Sequence, residues 1–296
     1  MKVFYHNDND GKCAAHLVDR FYNLDPPDHC SQLLIHYIPM DYGKEFPLDT
    51  VYLDEQIYIL DFSIERKEML ELLEITTKVV WIDHHKTAID KYSGFEDHIG
   101  YPIMGIREIG KSGCELTWEF LFIDQPMPLY VNLIGDRDTW RWEHGDRSKF
   151  FHYGIIAGDN DPCDSVWLEA IDDTNSIIEK GKAVFGYVRK QNIEAIKERG
   201  YWIDFHGYDT YAINSDIVRG SEFFEEAVPE ADMWLVYRYV PKNNQTSFDG
   251  YWTIGIYSTM VDVSQIANQY EYEGKRGGGH KGASGFQCYD LSFLTD

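Results

Sequence analysis

Val79-Val80-Trp81-Ile82-Asp83-His84-His85 is four apolar residues, three of them β-branched, running straight into three ionisable ones. Ile57-Tyr58-Ile59-Leu60-Asp61-Phe62-Ser63 repeats the design, and Lys2-Val3-Phe4-Tyr5-His6 opens the chain with it. Apolar runs of this length, rich in β-branched and aromatic residues, read as buried parallel strands. Helix-like stretches at about 11–23 and 64–76 separate them, so strand, helix and strand alternate as in a parallel α/β sheet. Ligands of such sheets bind beyond the carboxyl ends of the strands. Each polar motif begins where a strand ends, so one crevice can collect them all.

The polar motifs are His6-Asn7-Asp8-Asn9-Asp10-Gly11, Asp61-Phe62-Ser63, Asp83-His84-His85 and, further on, Gly135-Asp136. Taken singly, most have plain readings. Asp61 with Ser63 before a helix suits a cap, and Asp8 with Asp10 before Gly11 suits a turn. Asp83-His84-His85 resists such a reading, because charge after a buried strand is costly unless it is paired or metallated. Jointly the four motifs point to a centre for two divalent cations. Hard cations take oxygen ligands, and Mn²⁺ also accepts imidazole. A pair of cations ~3.5–4 Å apart needs a carboxylate shared between them. Asp8, Asp10, Asp61 and Asp136 together balance the charge of two divalent ions.

This set of residues resembles the DHH phosphoesterase superfamily, named for the triplet present here as Asp83-His84-His85. Gly277-Gly278-Gly279-His280 is similar to the signature of the DHH-associated C-terminal domain in the exonuclease and nanoRNase branch. The resemblance runs from His6 to Phe286 in the expected order. It implies that His6 and Asp10 hold one cation, that Asp8 serves the other, and that Asp61 bridges the two. His84 and Asp136 complete the metal set. Asp83 orients an imidazole from behind, and His85 faces the substrate phosphate or its leaving group. Gly278, Gly279 and His280 bind substrate. Lys86 and Arg107 are candidate phosphate clamps, although surface solvation is an ordinary alternative for both. The implied cofactors are two divalent cations, Mn²⁺ ahead of Mg²⁺. Lys12 stands where some branches, the manganese-dependent pyrophosphatases among them, carry an acid six residues after the first histidine; this argues against a pyrophosphatase.

The implied activity is hydrolysis of short oligoribonucleotides, with 3′-phosphoadenosine 5′-phosphate as a second substrate. A phosphodiesterase for cyclic or linear dinucleotides and a single-strand-specific exonuclease are the alternatives. Composition bears on the choice. The net charge is −23 over 296 residues, and a chain that tracks long nucleic acid usually carries a basic face. Short single-stranded RNA or a dinucleotide is therefore the expected partner, with no long duplex, and a homodimer is an assembly to test. Residues 274–286 form a basic island, with Lys275, Arg276 and Lys281 beside the glycines. Eight Trp, sixteen Phe and twenty-one Tyr are expected mainly in the core. Trp140 and Trp142, just after Asp136, are candidates to stack bases, with packing the plainer expectation for each.

The expected fold class is α/β: an N-terminal parallel-sheet domain (1–160), a helical linker (161–200) and a smaller mixed α/β domain (201–296). Within the last, strands are expected at 208–214, 233–240 and 251–258, with a hairpin loop at 242–250. Gly110-Lys111-Ser112-Gly113 lacks the spacing of an ATP-binding loop. The five scattered cysteines have no Cys-x-x-Cys pair, which suits a reducing cytoplasm. No apolar run approaches a membrane span, and no signal peptide precedes the first strand; a cytoplasmic location is expected.

Overall fold

The structure is a computed structural model that describes residues 1–24, 33–41, 44–218, 221–241 and 250–294. The expected hairpin loop lies almost wholly outside these. The chain is a mixed α/β protein. Its contacts divide it into two compact units, Met1–Phe185 and Gly186–Asp296.

The first unit runs β1 (Lys2–His6), α1 (Asn9–Asp19), β2 (His36–Met40), β3 (Ile57–Leu60), α2 (Arg66–Ile75) and β4 (Val79–Ile82). Short helices α3 (Lys86–Lys91) and α4 (Phe95–Ile99) follow, then α5 (Gly113–Leu121), α6 (Leu129–Asp138), α7 (Asp146–Ile155) and α8 (Ser165–Asp172). The four strands form one parallel sheet in the order β2-β1-β3-β4. The three apolar runs of the sequence are its three inner or site-bearing strands, and every residue of β3 and β4 is buried.

Alternation decides what each strand residue packs against, because successive side chains leave opposite faces of a strand. Val3, Tyr5, Tyr58, Leu60, Val80 and Ile82 share a core with Leu17, Leu116 and Leu133 from α1, α5 and α6. Phe4, Ile57, Ile59, Val79 and Trp81 pack on the other face with Met69 and Leu72 of α2 and Phe95 of α4. Both faces are thus covered, as parallel sheets require.

The helical linker expected at 161–200 holds two helices, α8 and the long α9 (Thr174–Arg199). The division between the units falls within α9, between Phe185 and Gly186.

The second unit adds β5 (Tyr201–Phe205), β6 (Tyr208–Asn214), α10 (Glu222–Ala227), β7 (Met233–Val240), β8 (Tyr251–Tyr257) and α11 (Val263–Ala267). It closes with β9 (Glu271–Tyr272), β10 (Lys275–Arg276), β11 (Gly278–His280) and β12 (Ala283–Cys288). Six strands form one mixed sheet in the order β11-β12-β8-β7-β6-β5. Only β6 and β7 pair in parallel; the other neighbours are antiparallel. Leu235, Ile254, Ile256 and Phe286 pack against Val263, Ile266 and Ala267 of α11. Among the described residues, no helix is long and apolar enough to cross a membrane.

Candidate metal centre

Strand order places the site. From β1 the chain moves to β2 on one side and then to β3 on the other. The gap between the ends of β1 and β3 is therefore the point where strand order reverses, the usual binding crevice of an open α/β sheet. Tyr5 pairs with Leu60, so His6 and Asp61 follow side by side at that point.

Asp61 leaves β3 with a left-handed backbone, φ 63°, which aspartate tolerates better than most residues. Its amide stays bonded to Ile82 O at 2.9 Å. It caps no helix: the N-cap of α2 is Glu65. Its side chain is 1% exposed, and among the described residues no group forms a well-aligned hydrogen bond to its Oδ1, although His84 lies close. Gly113 makes this possible. A Cβ there would lie 2.6 Å from Asp61 Cβ and 2.8 Å from its Oδ1, so any other residue would displace the carboxylate.

Two groups of donors share Asp61. On one side stand His6 and Asp8: His6 Nδ1 lies 2.8 Å from Asp8 Oδ2 and 3.5 Å from Asp61 Oδ2. On the other stands His84, whose Nε2 lies 3.1 Å from Asp61 Oδ1, 3.4 Å from Asp138 Oδ2 and 3.9 Å from Asp10 Oδ2. The combinations His6–Asp8–Asp61, Asp10–His84–Asp138 and Asp61–His84–His85 each present ligand atoms within 4.8 Å of one another. Asp8 also does the turn work its position suggests: it is the N-cap of α1, and its Oδ1 accepts from Gly11 N at 2.9 Å.

Asp10 is held at the start of another helix. Its two carboxylate oxygens accept from Gly113 N (2.6 Å) and Cys114 N (2.9 Å). These are the first amides of α5, two of the donors a helix leaves unpaired. Ser112 and Glu115 form a capping box at the same end, and Glu115 is fixed by Arg141. The stretch Gly110–Gly113 thus bears on the site by seating Asp10.

Asp83 is fully buried. Its Oδ1 accepts from the amides of His84 (2.8 Å) and His85 (3.1 Å) and from His85 Nδ1 (2.8 Å), while its Oδ2 accepts from Ser63 Oγ. Burial opposes its charge, yet these donors, His85 first, hold its carboxyl below the usual range. An anchored carboxylate behind Nδ1 fixes the orientation of the His85 ring.

The structure departs from the sequence-based expectation at the last carboxylate. Asp136 is not brought into the cluster. Its oxygens accept from Glu143 N (2.6 Å), His144 N (3.1 Å) and Ser148 Oγ, tying down the turn after α6. Asp138 faces His84 instead. Residues two apart on a helix point about 200° apart, so only one of this pair can face the site. Gly135 has its own role: a Cβ there would lie 2.3 Å from Glu115 Cδ. The grouping also differs from the implied one, since His6 stands with Asp8 and Asp10 with Asp138.

Arg107 and Lys86 both have carboxylate partners. Arg107 binds Glu96 at 2.6 Å, donates to Trp81 O and Ile103 O, and lies over the Trp81 ring; it staples the segment after α4 to the sheet edge. Lys86 pairs with Asp90 at 2.5 Å on the surface of α3. In the second unit, Gly278, Gly279 and His280 form β11, paired with Gly285, Ser284 and Ala283 of β12, and all three are exposed.

Electrostatics test whether these donors fit cations. Burial, then Asp10 and Asp8, push the Asp61 carboxyl well above its ordinary range. Enclosure by protein atoms, then Asp10 and Asp61, do the same to Asp138, although 26% of its side chain is open. Burial alone would depress the His6 pKa, but hydrogen bonds that the imidazole donates to Asp61 and Asp8 overrule it and raise the pKa to about 11. Carboxylates converging on one another, with a buried Asp61 oxygen that accepts no well-aligned hydrogen bond among the described residues, form a set whose repulsion a divalent cation relieves. The donors fit such ions.

No protein-family model matches the chain. It is 26% identical over 265 residues to the uncharacterized protein R106 of Acanthamoeba polyphaga mimivirus, covering 85% of this chain and 58% of that protein's length. Among solved structures, an uncharacterized protein of Helicobacter pylori G27 is similar at a TM-score of 0.41 and 14% identity, covering 99% of this chain and 94% of that one. A Methanococcus jannaschii protein proposed to be a family II inorganic pyrophosphatase is similar at a TM-score of 0.32 and 14% identity, covering 96% and 92%.

Proposed function

We propose that the protein is a metal-dependent phosphoesterase, and that its substrates are short oligoribonucleotides. The observation that carries this reading is the convergence on Asp61 of His6 and Asp8 from one side and His84, Asp138 and Asp10 from the other. His6, Asp8 and Asp61 would hold one divalent cation; Asp61, Asp10, His84 and Asp138 would hold a second. When bound, two such ions lower the pKa of a shared water and neutralise charge on a phosphate. Asp10 keeps its place through the amides of α5, which stay oriented without reorganisation during reaction. Asp83 holds the His85 ring through Nδ1, leaving Nε2 to donate a proton or hydrogen bond to a leaving oxygen. The charge of −23 supports small substrates over long polyanions. Gly278, Gly279 and His280 are candidate substrate contacts because an exposed glycine strand leaves backbone open to a phosphate.

The test uses metal-free protein, 5′-labelled RNA from dimers to 24-mers, and added Mn²⁺ or Mg²⁺. Rapid metal-dependent cleavage of the shortest chains with sparing of long ones is expected. Cleavage of cyclic or linear dinucleotides alone would narrow the substrate class. No turnover of any phosphodiester with either metal refutes the proposal.

A further inference from the structure

Trp140 and Trp142 are large apolar side chains open to solvent. They are 50% and 37% exposed, with ring centroids 6.3 Å apart and planes at 67°. Both have left-handed backbone, φ 57° and 56°, a conformation that bulky side chains rarely adopt. Exposure and strain are each unfavourable for tryptophan, and here they coincide twice in three residues. The strain is maintained from outside the pair. Arg141, between them, donates to Gly110 O at 3.0 Å and to Glu115, and its amide bonds Asp136 O. The Asp136 carboxylate grips the amides of Glu143 and His144, and Gly145 N donates to Trp142 O. With Arg141 pinned inward, the residues on either side are thrown out to solvent. Strain over-determined in this way clusters at ligand sites.

Position supplies the ligand class. Trp140 is two residues after Asp138, so their Cα atoms are at most about 7 Å apart, and the Asp138 carboxylate belongs to the candidate metal centre. Two uncharged aromatic faces, inclined to each other and close along the chain to a site for phosphate, suit the uncharged flat part of a nucleotide. Two tryptophans alone are far smaller than a stable protein interface of about 800 Å² per partner. We infer that Trp140 and Trp142 form a stacking platform for the nucleobase of a nucleotide whose phosphate lies at the metal centre. This inference rests on the phosphoesterase reading and deepens it: the platform selects for a base without reading its identity, since every base has a π face.

Calorimetric titration of the full chain in Mn²⁺ with adenosine 5′-monophosphate and with ribose 5-phosphate tests it. The nucleotide is expected to bind roughly 5- to 100-fold tighter, with quenching of tryptophan fluorescence that ribose 5-phosphate does not cause. In the Trp140→Ala/Trp142→Ala variant the two ligands should bind within about twofold of each other, while Mn²⁺ affinity stays unchanged; Trp140→Phe/Trp142→Phe should restore part of the preference. Trp140→Gly/Trp142→Gly suits the left-handed backbone, so it should melt no lower than the parent and still lose the preference. A preference that survives in the Ala or Gly variants overturns the platform. So does its absence from the parent protein. If Mn²⁺ binds without any preference for the base, the platform falls and the metal centre stands; if neither Mn²⁺ nor either phosphate binds, both fall.

Discussion

In the unit Met1–Phe185, the loops beyond the parallel strands and the helix ends beside them enclose Asp10, Asp61, Asp83 and Asp136, each at most 2% exposed. In Gly186–Asp296 the buried polar side chains among the described residues are Asn192, Thr210, Ser215, Ser221, Ser258 and Ser284, all neutral. Both units have well-packed apolar cores. The difference is that the first buries carboxylates, satisfying Asp83 and Asp136 with donors but leaving Asp10 and Asp61 to converge, which opposes folding unless something positive joins them. The second makes no such concession and has the composition of a scaffold. Its polar device, the glycine strand β11, is exposed and uncharged in its backbone. Among the described residues, buried carboxylates are therefore concentrated in one unit.

The largest expected effect comes from removing the shared carboxylate. Asp61→Asn should lower metal-dependent turnover by about a thousandfold or more, while the metal-free variant melts no lower than the parent because a repelled charge has gone. A clear loss of metal-free stability would show that Asp61 is a structural group. Next are paired core truncations. Ile59→Ala in the first unit and Leu235→Ala in the second, both fully buried, should each cost about 2–5 kcal/mol by denaturant unfolding. Markedly unequal costs would mean that the cores are not comparable.

A third effect is confined to the first unit. His16 is buried, stacked on Trp167, with Nδ1 donating to Pro162 O, and burial pushes its pKa down to about 4. The unfolded chain therefore binds a proton that the folded one refuses between pH about 6.5 and 4. Stability falls as pH drops through that window, by ~3 kcal/mol at its lower end. The raised Asp61 and Asp138 act with opposite sign, so the comparison must be with His16→Gln, whose unfolding should lack the His16 component. Identical pH profiles for the two proteins would exclude the effect. The smallest change is expected at Lys86→Ala, which removes an exposed ion pair and should move stability by less than about 0.5 kcal/mol. A large loss of substrate affinity in that variant would return Lys86 to the site.

Strands β1, β3 and β4 are legible in the sequence because a parallel strand covered on both faces is apolar throughout, and the motifs at their ends mark the crevice. β2 is not: His36-Tyr37-Ile38-Pro39-Met40 is a half-exposed edge strand interrupted by proline, which local pattern demotes. β5 likewise alternates weakly as Tyr201-Trp202-Ile203-Asp204-Phe205. The choice between Asp136 and Asp138 depends on the rotational phase of α6, which its even spread of apolar residues does not reveal. Arg107 reads as a free cation until Glu96 is found beside it. The use of Ser112-Gly113 depends on Asp10, about a hundred residues away in sequence.

Asp10 is seated by amides 103 and 104 positions downstream, and Asp138 joins it later still along the chain. No local hairpin or helix pair assembles this set, and contacts so distant close slowly. The arrangement of these carboxylates is thus expected to be a late product of folding, arriving after most helices have formed. In refolding, a metal-sensitive signal should lag behind far-ultraviolet dichroism, and cations added early should find nothing yet built to hold them.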